Sequence, residues 1–430
     1  MAHLGSSPES SPVSVVIAGS RFSYPHGMGA SSRVHAYAKG LLESGARVRV
    51  VSLLSPPLSG HPGDNDLASG MHEGVPFEYA CGTRERGRSF LRRRLIELKA
   101  PVGLWRASRR LFAGQDGPKA IIAYTQEPTW IVYMAVLARL HGASSLVELC
   151  EMPLVYESSR ARRVALGRLQ DAVAYRVVDG FIAISTCLEE YVHRHAPPGT
   201  PTIRVPILVA TSDFADGEAT DAPRRPREIV YVGDLRWHEE EITDLLSAFS
   251  NVAREKPDVI LRLVGQATDA DMASLTARVA DLGLADRVVF AGLVQRSQLP
   301  ALLRAATVLV LLRRDALFSR AGLPTKLGEY LASGRPVVVT AIGDIPRYLS
   351  DGSDAYLAPS GDPAGFADLL RHVLDNESEA SAVGARGRSV ALRQFDRRRH
   401  GARLAAFISA LHERKVASPV ARRSGGEDHV

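Results

Sequence analysis

Apolar residues in this chain occur in two patterns. Short runs of five or six, rich in valine and isoleucine, predict buried strands, and longer stretches with apolar positions every three or four residues predict amphipathic helices. The two alternate, which argues for parallel sheets. Residues 13–18 form the first strand, followed by a glycine-containing loop at 19–29 and a helix at 31–44 that Gly45 ends. A strand at 48–53 comes next. Residues 120–124, 145–149 and 180–184 supply further strands of that sheet, and Ser185 caps a helix over 186–195. A second set of strands covers 228–232, 259–264, 288–291, 307–311 and 337–340, with helices at 244–255, 269–282, 298–305 and 363–376. The predicted organisation is a leader at 1–12, a Rossmann-like domain at 13–198 and a linker at 199–227. A second Rossmann-like domain spans 228–387, a helical stretch 388–415, and a polar, disordered tail 416–430. In such a two-domain α/β chain the sheets are expected to face a central cleft beyond the strands' carboxyl ends.

Composition narrows the class. Hydrophobic residues make up 45% and charged residues 23% of the chain, ordinary values for a soluble globular protein. No apolar run reaches the ~20 residues of a membrane helix. The N-terminus shows no basic start followed by an apolar core, so no secretion signal is expected. Cys81, Cys150 and Cys187 are far apart without metal-ligand spacing, and reduced thiols in a cytoplasm are expected.

The net charge of +6 is unevenly spread, because residues 84–110 alone carry ten basic and two acidic side chains. Around them, Phe90, Leu91, Leu95 and Leu98 can share a helix face. Pro101 separates these from Leu104, Trp105, Leu111 and Phe112. Basic and aromatic residues on such helices suit an anionic membrane surface through 84–112. The same pattern also fits an apolar face packed on the first domain beneath solvated arginines. No recognition module accompanies the charge, so nucleic acid is not an expected partner.

The richest local chemistry lies in residues 322–339. Pro324 stands at a helix start, Gly334 past its end, and a valine run then leads into a strand. Lys326 and Glu329 fall three apart on one face of the first turn, beside backbone N–H groups. A cation and amide donors suit phosphate oxygens, and a carboxylate accepts from paired sugar hydroxyls. Spacing alone is equally compatible with a solvated ion pair.

The stretch Leu323-Pro324-Thr325-Lys326-Leu327-Gly328-Glu329-Tyr330 resembles the donor-site signature of retaining GT-B glycosyltransferases of family four. The resemblance covers about residues 13–415 and implies several expectations. Leu323, Pro324, Thr325, Lys326, Leu327 and Glu329 would bind a nucleoside diphosphate sugar, Glu329 at the ribose and Lys326, also catalytic, at the diphosphate. The last helix would cross back to the first domain, and no cofactor or metal would be needed. The acceptor would be a hydroxyl on a glycan or lipid-linked carrier, placing the enzyme in polysaccharide biosynthesis, cytoplasmic and peripheral at the membrane.

The loop 25–33 resembles the family's glycine-rich loop, which assigns Gly27 and Gly29 to the donor diphosphate. Ser31 or Ser32 would cap the following helix, and Arg33 and His35 read as exposed. Ser32 stands where a dinucleotide fingerprint needs its third glycine, which disfavours an oxidoreductase. Glu151, at a strand end, is the candidate to orient or deprotonate the acceptor hydroxyl. Three departures stand against the family pattern. Ala321 replaces a glutamate that contacts the transferred sugar, Asp234 replaces a diphosphate-binding arginine, and Glu239-Glu240-Glu241 replace a Lys-Gly pair. Arg236, or one of Arg313, Arg314 and Arg320, would restore the missing charge. These departures keep two rivals open: a GT-B nucleotide-sugar epimerase or hydrolase, and a non-catalytic nucleotide-sugar-binding scaffold.

Overall fold

The computed structural model describes residues 11–20, 22–27, 29–54, 67–83, 90–153, 159–215, 226–235 and 242–424. The chain divides into two compact units. Unit 1 is drawn from Met1–Pro206 and Arg397–Val430, and unit 2 from Ile207–Asp396.

Unit 1 is built on strands β1 (Ser14–Gly19), β2 (Arg47–Ser52), β3 (Ser69–His72), β4 (Val75–Tyr79), β5 (Lys119–Ala123), β6 (Ser144–Leu149), β7 (Gly180–Ala183) and β8 (Thr202–Arg204). Their order is β3-β4-β2-β1-β5-β6-β7-β8, parallel except for β3 against β4. Its helices are α1 (Gly29–Glu43), α2 (Phe90–Glu97), α3 (Ala100–Phe112), α4 (Pro128–Leu140), α5 (Arg160–Ala172) and α6 (Thr186–His195). Val15, Val16 and Ile17 of β1 are wholly buried, as a central parallel strand covered on both faces requires.

Unit 2 carries β9 (Arg227–Val232), β10 (Val259–Val264), β11 (Val288–Gly292), β12 (Val308–Leu311), β13 (Val337–Thr340) and β14 (Tyr356–Ala358), in the all-parallel order β11-β10-β9-β12-β13-β14. Helices α7 (Ile242–Glu255), α8 (Asp269–Asp281), α9 (Leu299–Ala305), α10 (Leu317–Ala321) and α11 (Thr325–Ala332) come first. They are followed by α12 (Ile345–Tyr348), α13 (Pro363–Asp375) and α14 (Glu377–Gln394).

The last helix, α15 (Arg397–Ser424), returns to unit 1 and packs on α1. The crossing is close enough to require glycine on both helices. A Cβ on Gly401 would lie 2.0 Å from the Gly40 carbonyl oxygen, and one on Gly40 would lie 2.3 Å from that of Arg397. Arg397 Nη2 reaches Glu43 Oε1 at 2.8 Å beside the contact.

The chain ends differ from the sequence expectation in three ways. The first sheet takes β8 from the segment assigned to a linker. The helix expected over 388–415 is two helices, broken at Phe395–Asp396. There the Phe395 carbonyl accepts from Val209 N–H at 2.8 Å and the Asp396 carboxylate accepts from Thr211, ties that draw the backbone out of the helix. The tail expected to be disordered from Val416 is helical through Ser424.

Replacing Gly401 with valine forces α1 and α15 apart. A loss of about 3 kcal/mol is expected, read as a melting temperature lower by roughly 5–10 °C in a circular dichroism melt.

Candidate functional site

The residues of the 322–339 segment converge at the carboxyl end of the second sheet. Pro324 stands at the cap position of α11 without a side-chain acceptor, and Leu327 N–H turns back to the Pro324 carbonyl at 3.1 Å. Leu323 and Leu327 are buried and anchor the turn, while Thr325 and Lys326 are half-buried. Gly334, at φ 76°, ends the segment in the left-handed conformation that glycine adopts without steric cost.

Tyr330 fixes this helix to the sheet. Its hydroxyl accepts from Val232 N–H at 2.7 Å and lies 3.3 Å from the Val232 carbonyl at the end of β9. One turn earlier, Lys326 Nζ stands 5.5 Å over the ring of Tyr231. The Tyr231 hydroxyl in turn donates to the Asp234 carbonyl at 3.2 Å, tying down the loop after β9. Glu329, with its side chain 17% exposed, is met by Arg296 Nη2 at 2.9 Å, whereas Arg296 itself is 58% exposed. Sequence reasoning missed Arg296, Tyr231 and the role of Tyr330. Tyr330 stands inside the quoted motif, but the other two are neighbours only through the fold.

Of the arginines expected to restore charge, Arg320 is held by the Asp315 carboxylate. Arg313 and Arg314 instead line a hollow with Asp244, Thr340 and Asp362. Arg236 and Glu239-Glu240-Glu241 lie outside the described residues.

In unit 1 the glycine loop folds tightly onto the start of α1. A Cβ on Gly27 would meet Ser31 Oγ at 2.1 Å, and Gly29 is the first residue of α1. Ser31 therefore lies inside the helix, and its hydroxyl donates to the Ser23 carbonyl, so neither Ser31 nor Ser32 is the expected cap.

Arg33 is buried, against expectation. Its Nε donates to Glu148 Oε1 at 2.7 Å, and Nη2 donates to Tyr37 Oη at 2.8 Å and the Val205 carbonyl at 2.9 Å. Nη1 donates to the Pro206 carbonyl at 2.8 Å. Glu148 belongs to β6, and the chain beyond that strand carries Cys150 and then Glu151, which is exposed. The Tyr124 hydroxyl lies 3.3 Å from Cys150 Sγ. Burial, reinforced by Glu148, pushes the Cys150 thiol well up, so it stays protonated and is a poor nucleophile.

Residues 226–376 match the family described as glycosyl transferases group 1, and residues 28–207 match the glycosyl transferase 4-like domain. Together these cover well over half of the chain. It belongs to the group 1 glycosyltransferases. This glycosyltransferase is 30% identical over 233 residues to a GDP-mannose-dependent alpha-(1-6)-phosphatidylinositol monomannoside mannosyltransferase of Mycolicibacterium smegmatis, across 52% of the chain and 58% of the relative. It is 27% identical over 271 residues to a glycogen synthase of Mycobacterium tuberculosis, across 60% of the chain and 63% of that protein. Each match thus spans less than two thirds of the relative.

Among solved structures it is similar to Anabaena HepE in complex with UDP, with a TM-score of 0.66 at 15% identity over 94% of the chain and all of HepE. A sucrose-phosphate synthase from Thermosynechococcus elongatus gives a TM-score of 0.65 at 18% identity, over 95% of the chain and all of the synthase. These likenesses show the GT-B fold, with its two parallel-sheet α/β domains.

Removing the Arg33 side chain would strand the Glu148 carboxylate inside unit 1. Arg33→Ala is expected to cost about 3–5 kcal/mol in a urea denaturation. Arg33→Met combined with Glu148→Leu should recover most of that loss.

Proposed function

We propose that this glycosyltransferase moves a sugar from a nucleoside diphosphate sugar to a hydroxyl of a glycan or lipid-linked acceptor, with retention and without a metal ion. The observation that carries this reading is the start of α11. Lys326 in its first turn and Glu329 three residues on stand on one face, at the carboxyl end of a parallel sheet, on an element fixed to β9 by Tyr330.

Glu329 would accept from the ribose diol, exchanging its contact with the exposed Arg296 for the sugar. Leu323, Pro324, Thr325 and Leu327 would shape the nucleotide's seat. Gly27, Gly29 and Arg236 would approach the diphosphate. As the bond from the anomeric carbon to phosphate oxygen breaks, negative charge grows on the leaving diphosphate. Lys326 and the backbone amides at the start of α11 stabilise that charge more than they stabilise the ground state, and this difference lowers the barrier. The helix dipole acts in the same sense. The acceptor oxygen bonds to the anomeric carbon from the same face, and its proton passes to the departing phosphate oxygen. Glu151, exposed beyond β6, would orient the acceptor hydroxyl.

Support for the substrate class comes from the relatives: one is named for GDP-mannose and a phosphatidylinositol mannoside, another for glycogen, and HepE was solved with UDP. Calorimetric titration with UDP, GDP, ADP and NAD tests the reading. One nucleoside diphosphate should bind, and Glu329→Ala should weaken it by at least about tenfold, the loss of a charge-assisted hydrogen bond. Absence of binding by every diphosphate would refute it. Binding with no sugar transfer would favour the scaffold, and sugar release or isomerisation without acceptor would favour the hydrolase or epimerase.

A peripheral membrane contact through the basic segment belongs to the same proposal. Leu104, Ala107 and Phe112 of α3 are buried, whereas Leu95, Leu98, Val102 and Trp105 are exposed beside Arg94, Lys99, Arg106 and Arg109. Among the described residues no helix is long and apolar enough to cross a membrane. The protein should float with vesicles containing anionic lipid but stay behind with neutral ones, and Leu98→Glu should abolish the flotation. Equal recovery with both vesicle types would remove the membrane from the proposal.

A further inference from the structure

Segments distant in sequence meet on one side of unit 1. His35 lies on α1, His72 ends β3, and Glu73 begins the two-residue turn into β4. One ligand atom from each lies within 4.8 Å of the others. His35 Nε2 stands 3.2 Å from Glu73 Oε2, and His72 Nε2 stands 3.8 Å from Glu73 Oε1. The His35 and His72 rings are 5.2 Å apart, and His26, from the glycine loop, is 5.2 Å from His72. Metal–ligand bonds of about 2.0–2.1 Å in a tetrahedral zinc site place neighbouring ligand atoms about 3.4 Å apart. The observed spacings bracket that value.

The surroundings support ligation. Glu73 and Gly74 take φ of 47° and 81°, the conformation of a tight hairpin turn, which points the Glu73 side chain from a fixed position. Tyr24, wholly buried, places its hydroxyl 2.8 Å from His35 Nδ1. Such a partner on the far nitrogen fixes the ring of a metal-binding histidine. The side chains of His35, His72 and Glu73 are 14%, 28% and 56% exposed, so the cluster is recessed but open to solvent. Lys39 Nζ donates to the Glu73 carbonyl at 2.8 Å and lies 3.9 Å from Glu73 Oε2, a nearby cation that subtracts from affinity.

We propose that His35, His72 and Glu73 bind a zinc-like transition-metal ion, as three protein ligands with one position left to solvent. Two imidazoles and one carboxylate are a donor set that suits zinc. Without the ion, Tyr24 O–H donates to Nδ1 of His35 and Nε2–H donates to Glu73. With the ion, the proton moves to Nδ1 and is donated to the Tyr24 oxygen, while the Nε2 lone pair binds the metal. The ring stays neutral in both states. The ion staples the β3–β4 hairpin to α1. This inference does not rest on the sugar-transfer reading.

The test uses the full chain after chelator treatment. Zinc, titrated in competition with a chromophoric chelator, should bind the wild type at one equivalent. His72→Ala at the end of β3 and Glu73→Gln on the exposed turn should each weaken it by at least about tenfold. Zinc should raise the melting temperature of the wild type but not of His72→Ala. Cobalt should give visible absorption bands that His72→Ala lacks. Zinc bound equally by wild type and both variants, as binding at the cysteines would give, overturns the proposal. So does a wild type that binds none. Far-UV circular dichroism confirms that the variants are folded.

Discussion

A guanidinium taken out of water has to be answered inside the protein, and in unit 1 the answer organises everything around it. Arg33 meets a carboxylate on β6, a phenol on its own helix and two carbonyls at residues 205 and 206. One side chain thereby joins the helix that follows the glycine loop to the strand that leads toward Glu151, and to the last residues before the chain leaves for unit 2. An isolated charge there would cost several kcal/mol, so the partners stand or fall together. Such pairs add little net stability over an apolar core, and their more defensible role is to specify one arrangement.

Unit 2 uses neutral groups for the equivalent task. Tyr330 satisfies the last amide of β9 with a phenol from α11, a bond that would leave a half-buried donor unpaired if broken. The helix bearing Lys326 and Glu329 is thus registered against the central strand. This precision matters where catalysis depends on placing donors at developing charge.

Much of this was legible in the sequence, for identifiable reasons. Valine runs such as β1 and β13 and the apolar spacing of α7 and α13 report burial directly. Gly334 marked the end of α11 because few other residues take its φ. The β3–β4 hairpin was missed because its alternation is weak, with Met71 exposed and Gly70 opposite Phe77. Helix α5 was missed because Gln170 is the one buried residue among its thirteen, which leaves no apolar stripe to read. Arg33 read as exposed because local pattern carries no sign of a carboxylate 115 positions away. Arg296 beside Glu329 and the break at Phe395 were hidden for the same reason: each depends on a partner that only the fold supplies.

The glycine-to-glycine crossing of α1 and α15 also has a temporal consequence. The second unit is continuous in sequence from Ile207 to Asp396, while the first waits for the helix that starts at Arg397. On the ribosome, unit 2 emerges whole and can close its core while the Gly40 seam of α1 is still bare. Unit 1, though its first strands are made before unit 2, is the unit finished last.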